Sequence, residues 1–250
     1  MQHNMQHNQS FDKEFYAPTD LFAAAAEADV RAGFIMKTYL YVFGAIAAFI
    51  AIESCLFLAV GGAGNMWKLV GPLLATSRMS WLIVLGSFLV VSWIANSWAS
   101  SDTNPMMQHV GLGVYVVANA IIFVPLLCMA QIYGGPYTIL SAAMTTAGLF
   151  AMLTLAVFIT RKDFSFMRSG LAFGGLAAMG FIITAIVFNF ALGPIFMYAM
   201  VALMCGYILY HTSNVLHHYK IGQHPAAALA LFASVMTLFW YILQLFMSRE

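Results

Sequence analysis

Charged residues are scarce in this sequence of 250 residues. Asp, Glu, Lys and Arg make up 8% of it, against about 25% in an ordinary soluble domain. Apolar residues reach 62%, and the mean hydropathy is +0.86. This composition excludes a soluble globular protein and predicts a polytopic membrane protein, with no room for a separate soluble domain.

The few cysteines, the low net charge and the lack of catalytic motifs exclude several classes of function. The three cysteines, Cys55, Cys128 and Cys205, lie in apolar runs, so we expect neither disulfides nor a metal site. A net charge of +1 gives no basic surface for nucleic acid. The sequence also contains no glycine-rich phosphate loop, haem-attachment motif or His-Glu-x-x-His motif. We therefore expect no enzyme activity and no cofactor.

The apolar residues form seven segments, each long enough to cross a lipid bilayer as a helix, which takes about 20 residues. The segments are 33–61, 79–100, 108–130, 136–160, 169–190, 192–216 and 225–247. They are continuously apolar, whereas the strands of a membrane barrel alternate between polar and apolar residues. We predict an all-α membrane protein, with a seven-helix transmembrane domain over 31–250. A re-entrant hairpin in the last segment is an alternative that would place both chain ends on one side.

The first 30 residues differ from the rest of the chain. They open with the near-duplication MQHNMQHN and contain several acidic residues, so we expect a polar, disordered tail over 1–30. Its alanine-rich end reads as an interfacial lead-in to the first span. Short loops and the absence of a transit peptide favour a bacterial inner (cell) membrane.

Basic residues are unevenly distributed between the two sides of such a bundle. The side of the N-terminus has Lys13, Arg31, Lys37, Arg161, Lys162, Arg168 and Lys220, and the other side has Lys68, Arg78 and Arg249. Because basic residues accumulate in cytoplasmic loops, we expect the N-terminus in the cytoplasm.

Small residues at four-residue spacing predict where helices pack closely. They occur in the fourth and fifth segments, as Ala143, Ala147 and Ala151 and as Gly170, Gly174 and Ala178. The tight link at Gly193 and Pro194 predicts that the fifth and sixth helices are antiparallel neighbours.

Glu53 is the one carboxylate well inside a predicted span. An ionisable group at that depth is expensive, so it either forms an intramembrane cation or proton site or is hydrogen-bonded inside the bundle. Lys37 lies sixteen residues earlier on a roughly opposite face of the same helix, so it should not pair with Glu53. We expect Lys37 to extend to the membrane surface.

The last segment has one narrow polar face. Ser234, Thr237, Tyr241 and Gln244 fall within an arc of about 80° at about 100° per residue. A lipid-facing helix needs no such face, so we predict that this helix is surrounded by the others and faces a cavity or a polar contact line. His211, near the end of the sixth segment, should lie at the depth of Ser234 and form a hydrogen bond with it.

Two more specific chemistries are disfavoured in this region. An intramembrane serine protease places its nucleophile in a glycine-flanked turn, and Ser234 has no such turn. His217, His218 and His224 surround a short loop, but no cysteine or carboxylate beside them completes a metal site. We interpret these three histidines as solvated.

Three stretches of the chain resemble the Bax inhibitor-1 family, also called the transmembrane Bax-inhibitor-motif family. They are RAGFIMKTYLY in the first segment, TTAGLFAMLTLAVFITRKDFSFMRSGL across the fourth and fifth, and GYILYHTSNVLHHY followed by AAALALFASVMTLFWYIL at the end. The resemblance implies a seven-helix bundle with the last helix at its centre. It also implies a pH-sensitive calcium leak and, for bacterial members, links to stress responses and to a membrane-bound protease.

The sequence departs from the family pattern where the pH sensor is expected. The family has Tyr-Asp-Thr at the end of the sixth helix, where this chain has Tyr210, His211 and Thr212, and Ser234 replaces an acidic residue of the last helix. An ionised carboxylate pair attracts cations, whereas an imidazole is neutral when basic and repels cations when protonated. The resemblance therefore implies a calcium leak with an altered sensor and weaker calcium affinity. The alternative is a non-transporting regulator that binds another membrane protein, such as a membrane protease, in a stress response.

Overall fold

The computed structural model describes residues 22–75, 78–101 and 105–248, and this part of the chain is almost entirely helical. Its eight α-helices are α1 (Ala28–Val60), α2 (Ala63–Ala75), α3 (Arg78–Ala99), α4 (Pro105–Tyr133), α5 (Thr138–Thr160), α6 (Arg168–Phe188), α7 (Pro194–His217) and α8 (His224–Met247). All of these except α2 are long and apolar enough to cross a membrane. The predicted all-α class and the seven spans are confirmed.

Among the α-helices of the described residues, α2 is the one that the hydropathy pattern did not predict. Helix α1 ends at Gly61, whose φ of 81° is left-handed and whose backbone N–H donates to the Leu58 carbonyl. Glycine adopts this conformation without a steric penalty, so it is a common helix stop. The 13 residues of α2 then form a helix that is too short to span a bilayer.

Helix α8 is the central element of the bundle. Of its spanning window 78% is buried, compared with 61% for α4 and 28% or less for the other spans. It packs against α1, α3, α4, α5 and α7, whereas α6 packs against α3 and α7. Leu231, Phe232 and Leu238 are fully buried along it. The prediction of a central last helix is confirmed, and its continuous 24 residues leave no re-entrant turn.

The predicted packing seams have two different outcomes. Helices α6 and α7 are neighbours as predicted, and a Cβ on Gly174 would lie 2.8 Å from Leu203 Cδ1. The seam predicted for α5 is wrong: Ala143, Ala147 and Ala151 are exposed. The buried stripe of α5 is instead Thr138, Ala142, Thr146, Phe150, Thr154 and Val157. Four-residue spacing identifies residues that share a helix face, but it does not show which face is buried. In α5 the face one residue away, which has larger side chains, packs against the bundle.

The chain before α1 is packed onto the loop between α7 and α8. Ala23 is fully buried, and its backbone N–H donates to the Tyr219 carbonyl at 2.9 Å. Phe22 and Lys220 form an isolated antiparallel bridge. The bundle thus includes residues from 22 onward that the composition grouped with the tail, and residues 1–21 lie outside the described residues. We call this end of the bundle, where α1 begins, the N-terminal face.

Candidate functional site

His211 lies on α7 among tyrosine rings. Its ring stacks on Tyr207, with centroids 5.7 Å apart, and contacts Tyr210, with centroids 5.2 Å apart. The Tyr207 hydroxyl donates to the Leu171 carbonyl of α6 at 2.9 Å, which fixes that ring. His211 Nδ1 is buried and has no hydrogen-bond partner. The imidazole is therefore held by ring contacts, with a nitrogen left unpaired.

Ser234 is buried on α8, at 5% exposure, but it does not form the predicted hydrogen bond with His211. Its hydroxyl donates to the Ala230 carbonyl one turn earlier, at 2.9 Å. Serine in a helix often satisfies its hydroxyl in this way. Because the hydroxyl of Ser234 is used within its own helix, the expected link between α7 and α8 at this position is absent from the described structure.

The rest of the polar face of α8 lines a cavity of about 490 Å³. Thr237, Tyr241 and Gln244 contribute to its wall, together with Asn119 of α4 and apolar residues of α3, α6 and α7. None of the described lining residues carries a carboxylate. The structure thus places three residues of the predicted stripe on one cavity.

The cavity ends before it reaches Ser234. Ser234 lies one helical turn before Thr237 and is not part of the lining. At its level, the Phe232 ring packs edge-to-face on Tyr115 of α4, with centroids 6.1 Å apart. The cavity therefore extends neither to Ser234 nor to His211.

Glu53 lies on the buried face of α1, at 6% exposure, between Phe49 and Phe57. Neither carboxylate oxygen has a hydrogen-bond partner. Glu53 does not line the cavity along α8. The structure does not bring Glu53 together with His211 and Ser234.

A cluster of three hydroxyls was missed by sequence reasoning. The Tyr39 hydroxyl of α1 lies beside the hydroxyls of Thr154 of α5 and Thr212 of α7. None of the three oxygens is in hydrogen-bonding geometry with a partner, and all are buried. Tyr39 and Thr212 lie inside two stretches that carry the family resemblance, but only the fold shows that they meet.

The junction between α5 and α6 is anchored to the end of α7. Asp163 accepts hydrogen bonds from the backbone N–H of Ser165 at 2.9 Å and from His218 Nε2 at 3.0 Å. The Phe164 N–H donates to the Ser213 hydroxyl at 2.9 Å. The Ser165 N–H, followed by the His218 side chain, holds the pKa of Asp163 below its ordinary value. The most specific part of the sequence resemblance is thus a structural clamp.

The histidines around the loop between α7 and α8 have separate partners. His218 contacts Asp163, His217 Nδ1 lies 3.0 Å from the Ser213 carbonyl, and His224 stacks on Tyr41 with centroids 5.4 Å apart. Within 22–75, 78–101 and 105–248, no three His, Cys, Asp or Glu side chains converge as a metal-binding group.

These features define a multi-pass helical membrane protein that is built around its last helix, with a cavity along that helix's polar face. The family model described as "Inhibitor of apoptosis-promoting Bax1" matches residues 31–250. The chain therefore belongs to the Bax inhibitor-1 family.

Curated relatives from three kinds of organism support this assignment. Protein LIFEGUARD 4 of Arabidopsis thaliana is 26% identical over 230 residues, which cover 89% of this chain and 87% of that protein. Bax inhibitor 1 of Schizosaccharomyces pombe is 34% identical over 112 residues, or 43% and 41% of the two chains. An uncharacterized protein of Pseudomonas aeruginosa is 26% identical over 160 residues, or 64% and 68%. The family relationship therefore extends across most of the chain.

Proposed function

We propose that this protein is a weak cation leak, permeable to calcium, whose pH response depends on His211 and Ser234 instead of an acidic pair. The observation that carries the proposal is the cavity on the polar face of the central helix, lined by Thr237, Tyr241 and Gln244. Polar side chains inside a bilayer are expensive, so a set that lines a common cavity favours a path for water or ions.

The chemistry around the cavity supports low calcium affinity. Calcium prefers carboxylate and carbonyl oxygens, and the described lining residues supply hydroxyl and amide groups only. On protonation, the His211 imidazole would add a positive charge between the cavity and the N-terminal face. Acidification should therefore reduce the leak by repulsion.

The closed packing fits a leak that is small at rest. The cavity reaches neither Ser234 nor His211, and nearer the start of α8 the Phe232 ring packs on Tyr115 of α4. We propose that conduction requires a small displacement of α8 within the bundle. Such a two-state arrangement can be biased by a charge at His211, because the two helices are packed elements and not a loop.

Calcium flux into dye-loaded proteoliposomes tests the proposal. We expect the unmodified protein to leak slowly and less at pH 4 than at pH 8. The double variant His211→Asp with Ser234→Asp should leak several-fold faster at pH 8, because it restores two carboxylates. The matched neutral variant, His211→Asn with Ser234→Asn, should stay near the original rate at pH 8 and lose the pH response.

A variant in the cavity wall tests the leak without changing His211 or Ser234. Gln244→Leu removes an amide from the cavity wall and should lower the leak at every pH. Flux no greater than that of empty liposomes, for the unmodified protein and the acidic double variant alike, would refute the leak. The chain would then be better explained as a non-transporting regulator, and cross-linking in cells would seek its membrane partner, such as a protease in a stress response.

We also propose that the N-terminal face is cytoplasmic and that the membrane is a bacterial inner membrane. Arg161, Lys162 and Lys220 lie in loops at that face, whereas Lys68 lies on α2 beyond the other end of α1. The distribution of basic residues favours this orientation. We expect protease to leave an N-terminal tag intact in spheroplasts and to cleave it after lysis.

A further inference from the structure

A groove between α1 and α4 opens at the N-terminal face and is separate from the central cavity. Its volume is about 810 Å³, within the range of ligand sites in proteins. His224 of α8 also lines it, and part of its wall is exposed, including Leu40 at 68% and Val117 at 47%. In a membrane-spanning bundle, a groove of this kind is open to lipid.

The end of the groove nearest the N-terminal face is polar and basic. The Tyr41 hydroxyl lies 2.6 Å from His109 Nε2, and the Tyr41 ring also stacks on His224. Lys37 precedes Tyr41 by one helical turn, and Lys37 and His109 are the charged or titratable neighbours of His224. Within the described part of the chain, Lys37 has no acidic partner. An ammonium group and hydrogen-bonding rings thus converge at one point.

This polar end lies at the depth of lipid headgroups. The 33 residues of α1 extend about 50 Å, which exceeds the hydrocarbon core of about 30 Å. Lys37 is about 14 Å along α1, whereas His224 begins α8 and His109 is in the first two turns of α4. Lys37 is therefore level with the point where two other spans enter the bilayer.

The deeper part of the groove is apolar and unfilled by side chains. Gly44 and Ala48 of α1 face Gly113 and Val116 of α4 across it. A Cβ placed on Gly44 or on Gly113 would meet no atom within 4 Å. Because these glycines are not required for close helix contact, they leave open space along the apolar part of the groove.

We propose that this groove binds an anionic phospholipid from the leaflet at the N-terminal face. The headgroup phosphate contacts Lys37, with Tyr41 and His224 beside it, and one acyl chain lies along Gly44 and Gly113. Charge complementarity selects the anionic headgroup, and basic pockets between spanning helices bind such headgroups. The site is distinct from the cavity along α8 and does not require the protein to conduct ions.

Titration of the purified full chain in detergent with acyl-labelled phosphatidylglycerol and phosphatidylcholine tests the proposal. We expect phosphatidylglycerol to bind about fivefold more tightly, the effect of one basic residue at a lipid surface. Lys37→Met should abolish this preference, and Lys68→Met, on α2, should retain it. Gly113→Leu should weaken the binding of both lipids, whereas Gly148→Leu on α5, another glycine with open space, should not.

Three results would overturn the proposal. Equal affinity for the two lipids in the unmodified protein would remove the headgroup site. Full competition by inorganic phosphate, with anion binding unaffected by Gly113→Leu, would identify a site for free phosphate. A dimer that Gly113→Leu converts to a monomer, with lipid binding unchanged, would show that a second copy of the chain fills the groove. If Lys37→Met does not elute as a folded monodisperse protein, the comparison of Gly113→Leu with Gly148→Leu tests the proposal in its place.

Discussion

Gly111 of α4 lies against the backbone of Ala95 on α3, where a Cβ on Gly111 would be 2.5 Å from the Ala95 carbonyl oxygen. The same Cβ would also be 2.5 Å from the backbone nitrogen of Ala99. Backbone atoms cannot move aside as a flexible side chain can. This contact therefore fixes how closely α3 and α4 pack.

Gly111→Ala should destabilise the protein by about 1–3 kcal/mol, the usual cost of overpacking a tight contact. The thermal unfolding midpoint in detergent measures the loss. Gly148→Ala is the matched control, because a Cβ there meets nothing within 4 Å and alanine favours a helix. Equal midpoints for Gly111→Ala and the unmodified protein would show that α3 and α4 are not held this closely.

Asp163→Asn should lower stability at neutral pH by about 0.5–1 kcal/mol, in the range of exposed charge pairs. The pKa of Asp163 is lowered in the folded protein, first by the Ser165 N–H and then by His218. A carboxyl with a lowered pKa stabilises the fold above its unfolded pKa, and this contribution is lost as the pH falls through the folded value. The difference between variant and parent should therefore disappear at low pH.

Unfolding midpoints measured from pH 3 to pH 8 check this expectation. Glu27→Gln removes an exposed carboxylate that makes no capping hydrogen bond, and it should change little at any pH. A destabilisation by Asp163→Asn that is the same at pH 3 and pH 8 would mean that the charge of Asp163 plays no part.

Glu53→Met should stabilise the protein by about 1–3 kcal/mol, because it removes a buried polar group that lacks a hydrogen bond. Methionine keeps most of the side-chain volume between Phe49 and Phe57. Glu53→Gln keeps a polar group in the same place and should bring no such gain. If both variants unfold at a lower temperature than the unmodified protein, the Glu53 carboxyl has a stabilising partner, such as a bound cation.

The sequence was sufficient for those features that depend on one helix at a time. Continuous apolar runs gave the spans to within about five residues at each end, and the arc of Thr237, Tyr241 and Gln244 correctly predicted a central α8 with a polar wall. Both follow from local periodicity, which is independent of the neighbouring helices.

Features that depend on two helices were predicted less well. The Ser234 hydroxyl bonds within α8 and not to His211, because a carbonyl one turn away is always within reach. The face of α5 was wrong by one residue, since spacing alone does not say which side chains the neighbour accepts. The cluster of Tyr39, Thr154 and Thr212 joins three helices far apart in the chain, and no local pattern identifies it.

The position of α8 has a consequence for how the chain is assembled. The most enclosed of the seven described spans follows the other six in the chain, so those six are synthesised before the helix that they surround. Domains usually fold progressively from the N-terminus during translation. In this protein the earlier spans can complete their packing only after α8 has been inserted. The contact of Ala23 with Tyr219 also waits for the loop before α8. A chain that is truncated before residue 224 therefore lacks the helix against which most of the other spans pack.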